Sequence, residues 1–150
     1  MAITSIHHHK FMVSDLARSI HFYRDLIGME LLYEAERGNI PSYDTIIGYK
    51  NIRMKLAMLK LTSDGGMIAL IQYLNPPAKM RELEHYYVGS SALALVVDDI
   101  DAEHRRLSAA GAKFNSPPQD IVRDGKVVAR AAYVADPDGI KIELYELPKT

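Results

Sequence analysis

The stretch H-H-K-F-M-V-S-D-L-A-R-S-I-H-F-Y-R-D-L-I-G, His8 to Gly28, decides how this 150-residue chain is read. An apolar-flanked segment, Ile6–Val13, leads into Ser14 or Asp15, either of which can accept a hydrogen bond from the free N–H groups that open a helix. Leu16, Ile20, Tyr23 and Ile27 then recur at helical spacing, and Gly28 supplies a left-handed stop. The pattern returns later in the chain. Val13-Ser14-Asp15-Leu16 is matched by Val97-Asp98-Asp99-Ile100, and a second helical stretch, capped by Asp98 or Asp99, carries Leu107 and several alanines to Gly111. Asp64-Gly65 followed by Met67-Ile68-Ala69-Leu70 is matched, in the same order, by Asp138-Gly139 followed by Lys141-Ile142-Glu143-Leu144. Two ordered anchor pairs indicate an internal duplication, shorter in the middle of the second copy.

Around the helices the residues read as strands. The first copy offers Ile6–Val13, Met29–Glu36, Ile52–Leu61 and Gly66–Leu74; the second offers Ala92–Val97, Ala112–Phe114, Lys126–Ala135 and Ile140–Glu146. Turns at Asp64-Gly65-Gly66 and Asp136-Pro137-Asp138-Gly139 join the last two strands of each copy as hairpins. Residues 1–75 form the first β-α-β-β-β module, 76–91 the linker and 92–150 the second module, with a short helix expected over Lys79–Tyr87. A single such module leaves one sheet face bare, so two are expected to enclose a shared cavity, with the functional site between the copies. The expected class is α+β.

Composition narrows the function classes. Apolar residues make up 48% of the chain, enough for a core, and the formal net charge of −1 offers no basic surface for nucleic acid or anionic membrane. The absence of cysteine excludes disulfides and thiolate metal sites. No apolar run reaches the ~20 residues that span a bilayer, and the N-terminus lacks a signal-peptide layout. His7, His8 and His9 are read as native rather than as a tag because they lead straight into the helix cap. A cytoplasmic protein acting on a small molecule is expected.

The segment from His8 to Gly28, V-V-D-D-I-D-A at Val96–Ala102 and D-P-D-G-I-K-I-E-L at Asp136–Leu144 together resemble the vicinal oxygen chelate superfamily, which groups glyoxalases, bleomycin-resistance proteins and dioxygenases. The resemblance implies the glyoxalase/bleomycin resistance/dihydroxybiphenyl dioxygenase fold, with curved mixed sheets enclosing a cavity, and a homodimer as the family's tendency. Metal-using members draw ligands from the first and last strands of both modules. Transferred to this chain, those positions are His8 and Ala92 on the first strands, and Ala69 and Glu143 on the last. Two donors and two methyl groups result, so the resemblance implies either a divalent metal (Fe, Zn, Ni, Mn or Co) in an incomplete site formed by His8 and Glu143, or no metal.

Glu143, His8 and Tyr73 are the candidate catalytic residues, and Ala69, Tyr73, Ala92, Tyr145 and Arg53 the candidate cavity lining. Tyr73 and Tyr145 share the strand parity of Ala69 and Glu143. His8 and Glu143 read either as a buried hydrogen-bonded pair or as the functional pair. His7 and His9 fall on the opposite strand face; His21 and His104 read as surface groups. Arg53 and Lys55 alternate with Met54 and Leu56, facing solvent or cavity. Tyr43, Tyr49, His85, Tyr86 and Tyr87 are placed in loops able to cover a cavity mouth.

Three functions follow. The leading one is a glyoxalase-like lyase or isomerase that transfers a proton next to a carbonyl, with Glu143 or His8 as base and a tyrosine or metal on the oxyanion. The second is a non-catalytic drug-binding or resistance protein. The third, an Fe(II)-dependent dioxygenase, lacks the second histidine of its facial triad at Ala92.

Overall fold

A computed structural model of the chain describes residues 2–61 and 65–149; Asp64 of the first expected hairpin turn lies outside the described residues. The chain divides into two compact units, one up to Arg81 and one from Glu82, and each holds one mixed sheet in an α+β arrangement.

In the first unit, β1 (His8–Met12) enters α1 (Leu16–Ile20), which passes into a π-helical turn over His21–Leu26. Asp15, in extended conformation, caps α1 by accepting from the Arg18 amide at 3.0 Å. Gln72 serves another orphan donor of the same terminus, its Oε1 accepting from the Leu16 amide at 2.8 Å. The regular helix expected through Ile27 widens because the Ile27 amide donates to the Phe22 carbonyl five residues back, at 2.9 Å. Phe22 and Tyr23 are both buried on this wider turn, and Gly28 leaves it at φ +92°.

The sheet of this unit has the order β1-β4-β3-β2, with β2 (Glu30–Gly38), β3 (Arg53–Lys60) and β4 (Met67–Asn75). β1 runs parallel to β4 and the other pairs are antiparallel. Phe11, Ala57, Leu59, Ile68 and Leu70 are buried on the face covered by α1. The other face carries Met54, Leu56, Met58, Ala69 and Ile71, against which Tyr43 and Ile47 pack. Those two belong to a helix where the sequence pattern suggests only loop, α2 (Pro41–Ile47). Pro41 opens it, Gly48 closes it at φ +85°, and the Asp44 carboxylate ties down the exit by accepting from the Asn51 and Ile52 amides.

The second unit repeats the plan: β5 (Ala92–Val96), α3 (Ile100–Ala109), β6 (Lys113–Phe114), β7 (Gln119–Arg123), β8 (Lys126–Ala135) and β9 (Lys141–Glu146). Its order is β5-β9-β8-β6, with β7 also on β8 and β5 parallel to β9. Thus β6 and β7 together stand where β2 stands in the first unit, interrupted at Ser116-Pro117-Pro118, where two consecutive residues lack the N–H a ladder needs. The sequence pattern indicates β6 but not β7, which joins β8 through a two-residue Asp124-Gly125 turn with both residues at positive φ. Asp99 caps α3 by accepting from the Ala102 amide at 2.9 Å. The Asp136 carboxylate shapes the β8–β9 turn by accepting from the Asp138 and Ile140 amides, each at 2.8 Å.

The helix expected over Lys79–Tyr87 does not form. That segment makes only isolated turns, such as Tyr87 amide to Glu84 carbonyl at 3.1 Å, and leaves Met80 and Tyr86 exposed. A helix that short needs a packed apolar face to offset its nucleation cost, and this one packs none. No helix among the described residues is long and apolar enough to cross a membrane.

In the second unit α3 lies on β8 and β9, burying Ile100 and Leu107 against Val134, Ile142 and Leu144. Leu107 is fully buried, so Leu107→Ala is expected to lower unfolding free energy by about 2–5 kcal/mol in urea titration. An ion-pair hub ties the same elements together. The Arg130 guanidinium on β8 binds Asp101 of α3 at 2.6 and 3.1 Å, Asp120 of β7 at 3.1 Å and Glu146 of β9 at 3.6 Å. Hydrogen bonding by Arg130 holds the Asp101 carboxyl below its ordinary range. A carboxyl so depressed stabilises the fold above its unfolded pKa of about 4, and the contribution is lost as pH falls through the folded value. Wild type is therefore expected to lose stability more steeply than Arg130→Met as urea midpoints are followed from pH 6 to pH 3. Parallel curves would show that the hub does not govern acid sensitivity.

Candidate active site

Strand alternation sorts β9 into two sets. Ile142 and Leu144 are buried on the α3 side, which turns Lys141, Glu143 and Tyr145 to the other face, where all three are half-buried. β9 is flanked on both sides. On β5 the in-register partners of Lys141, Glu143 and Tyr145 are Ala92, Ala94 and Val96; on β8 they are Ala135, Tyr133 and Ala131. Small side chains thus border the polar row except at one position, where Tyr133 stands directly across from Glu143.

Tyr133 thus faces the Glu143 carboxylate across the β8–β9 ladder. Its pKa is raised, first by burial and then by the neighbouring Glu143 charge and hydrogen bond, so the phenol stays protonated through neutral and mildly basic pH. The His85 ring meets Tyr133 edge to face, with centroids 4.5 Å apart and planes at 70°, and Asn115 Nδ2 lies 3.5 Å from His85 Nε2. Glu143 and Tyr145 are among the residues indicated by sequence; Tyr133 is not. Its signal lies in the pairing, because setting Ala135 against Lys141 across the Asp-Pro-Asp-Gly turn places Tyr133 opposite Glu143.

The first unit presents its candidates differently. His8 pairs in register with Met67 on β4, so it shares a face with Ala69 and Tyr73, whereas His9 turns the other way and packs on Phe11, with ring centroids 4.7 Å apart. Burial, reinforced by the charges of Lys10, His7 and His9, lowers the His8 pKa and keeps the imidazole neutral at pH 7. One ring nitrogen of His8 lies 2.7 Å from its His7 counterpart. Ala69 is 2% exposed within the methionine-rich cluster. Tyr73 lies across from Met54 on the edge of that cluster, its pKa raised by burial and then by Tyr49. Arg53 points its guanidinium at the Glu36 carboxylate, 2.9 Å away, with both side chains at least half exposed.

Other candidates have ordinary partners. His21 is exposed and bonds Asp25 at 2.8 Å, and His104 packs edge-on against Phe114. Tyr87 donates to Glu82 within its own loop, and Tyr86 packs on Tyr87 while remaining exposed. Tyr43 sits in α2 rather than in a loop. On the α3 side of the second sheet, Asp99, Asp101, Arg130 and Glu146 help line a cleft of ≈ 380 Å³. Within it Asp101 and Glu146 are paired with Arg130, and Asp99 caps α3.

The donor set bears on a metal. Ala92 and Ala69 offer methyl groups at two of the four positions the family would use, and among the described residues no three His, Asp or Glu side chains are grouped so as to hold a metal ion. This set does not fit a resident metal held by three protein ligands.

Comparison with known proteins agrees with this architecture. The model of the Glyoxalase/Bleomycin resistance protein/Dioxygenase superfamily matches residues 5–144. A lactoylglutathione lyase from Haemophilus influenzae is 30% identical over 145 residues, covering 95% of this chain and 93% of that protein. The metallothiol transferase FosB of Staphylococcus epidermidis is 32% identical over 148 residues, with coverages of 97% and 83%. Among solved structures, a glyoxalase family protein from Bacillus cereus superposes with a TM-score of 0.83 at 22% identity, covering 99% of both chains. With the family model spanning nearly the whole chain and the duplicated β-α-β-β-β plan visible in both units, this protein belongs to the Glyoxalase/Bleomycin resistance protein/Dioxygenase superfamily, the vicinal oxygen chelate superfamily.

Proposed function

We propose that the chain is a small-molecule lyase or isomerase that moves a proton on carbon next to a carbonyl group, with Glu143 as the base. The observation that carries this reading is the Tyr133–Glu143 pair on the face of the second sheet turned away from α3. A carboxylate beside a phenol kept protonated supplies the two functions that enolisation needs. Glu143 takes the proton from the carbon next to the carbonyl; the C–H electron pair becomes the C=C bond of the enolate; the carbonyl oxygen takes up the negative charge. The Tyr133 hydroxyl donates to that oxygen. Glu143, now a carboxylic acid, returns the proton to the same carbon or, where that carbon bears a hydroxyl whose proton passes to the enolate oxygen so that the carbonyl moves, to its neighbour, and the step balances without oxidant or reductant. The lactoylglutathione lyase relative supports the reaction class. Tyr133 rather than Tyr73 serves the oxyanion in this reading, because it stands across from the base. His8 remains the alternative base, since it is neutral at pH 7.

A second reading, a ligand-binding protein without chemistry, is favoured by one observation: two of the four family ligand positions, Ala69 and Ala92, carry methyl groups that can take no part in a reaction.

Proton exchange separates the two for any small carbonyl compound that binds. Such compounds incubated with the protein in D2O are expected to lose their α-C–H signals in the proton NMR spectrum, with Glu143→Gln slower by about 10²–10⁴-fold and Tyr133→Phe slowed as well. Undiminished exchange in Glu143→Gln but loss in His8→Gln would move the base to His8. Binding without exchange in the wild type would establish the binding protein instead.

A further inference from the structure

We propose that Lys141 holds the anionic end of the substrate, which makes the ligand of the Glu143 face a small carbonyl acid, with a carboxylate a few bonds from the reacting carbon. The inference rests on the enolisation reading and specifies its substrate.

Two lysines of the described chain are half-buried, Lys60 and Lys141; the others are exposed. Lys60 has a carboxylate partner in Glu30, at 3.9 Å. Lys141 has none among the described residues, and its position explains why. Its in-register neighbours on both sides are alanines, Ala92 on β5 and Ala135 on β8, so neither adjoining strand offers it a counter-ion. The carboxylate two positions along the same face, Glu143, stands across the ladder from Tyr133 and makes no ion pair with Lys141 among the described residues. An ammonium with no counter-ion beside it on its own face gains a charge-assisted hydrogen bond from an anion that arrives from outside.

The spacing fits one small molecule. Residues two apart on a strand have Cα atoms roughly 7 Å apart on one face, and a lysine stem can fold over that distance. An acid lying along β9 can thus place its carboxylate at the Lys141 ammonium and its carbonyl at Tyr133, with the adjoining carbon above Glu143. The ammonium also favours the enolate, which carries one more negative charge than the substrate.

The test uses full-length protein with three acids, pyruvate, 2-oxobutanoate and acetoacetate, and the methyl ester of each. Affinity is read by NMR titration and proton exchange in D2O, with circular dichroism confirming that variants fold. Wild type is expected to bind at least one acid in preference to its ester, and less tightly as salt rises. Lys141→Met should weaken that acid by at least about tenfold, the loss of one charge-assisted hydrogen bond, and leave the ester unchanged; Lys141→Arg should retain most of the affinity. An unchanged preference in Lys141→Met, or a wild type that favours no acid over its ester, would overturn the proposal. The two readings fail separately. Acids bound through Lys141 without exchange would remove the enolisation reading alone. Exchange of acids and esters alike, indifferent to Lys141→Met, would remove this one alone.

Discussion

The register of β9 between β5 and β8 is the constraint on which the candidate site depends. Ile142 and Leu144 are locked under α3, and each is paired on both sides, with Leu93 and Leu95 on β5 and with Val134 and Ala132 on β8. A slip of one residue would drive the Glu143 carboxylate into that apolar layer and turn Ile142 to the opposite face, a desolvation no partner there can offset. The α3 core and the Asp136 turn therefore do more than stabilise. They decide that Lys141, Glu143 and Tyr145 emerge together, and that Tyr133 arrives opposite Glu143 instead of beside it.

The same logic explains what is legible in the sequence. The duplication, the caps at Asp15 and Asp99, and the glycines that end both helices are local signals with short reach, and they reappear in the structure. The elements that escape are those whose local signals compete. Pro41 and Gly48 bracket α2 as a helix start and stop, but the segment between them lacks a capping side chain and buries nothing fully. β7 carries a clear Asp-Gly hairpin turn, yet Pro117-Pro118 immediately precede it and break the extended pattern. The π-helical turn is illegible for another reason: the pattern through Tyr23 is equally compatible with a regular helix, and only the packing of Phe22 beside Tyr23 distinguishes them. Tyr133 is invisible to a residue-by-residue transfer of family ligand positions, because such a transfer follows single strands and ignores what stands across the ladder.

The two units share one topology and have put it to different uses. Equivalent last strands carry Met67, Ala69 and Ile71 in one unit and Lys141, Glu143 and Tyr145 in the other. The first set is covered by the chain's own α2 and its methionines, which pack adaptably. The second keeps ionisable groups on a face bordered by alanines. Duplication relaxes the demand that both copies do both jobs, and here one sheet packs this face as core while the other sets half-buried Lys141, Glu143 and Tyr145 on it.

That division bears on how a member of this superfamily can act with half of its ligand positions replaced by methyl groups. In the metal-dependent design a cation takes up the charge that develops on oxygen. A protonated tyrosine and a lysine on the same face can supply part of that stabilisation, since both donate hydrogen bonds and the lysine also carries charge. The phenol is suited to the task for the reasons that raise its pKa: burial first, and then the neighbouring Glu143 charge, disfavour loss of its own proton, so it remains a donor when the substrate oxygen needs one. In the proposed reaction such a site works without the strength of a metal Lewis acid. It therefore suits substrates whose C–H bond is already activated by a neighbouring carbonyl, for which a modest gain in oxyanion stability is enough to make proton transfer fast.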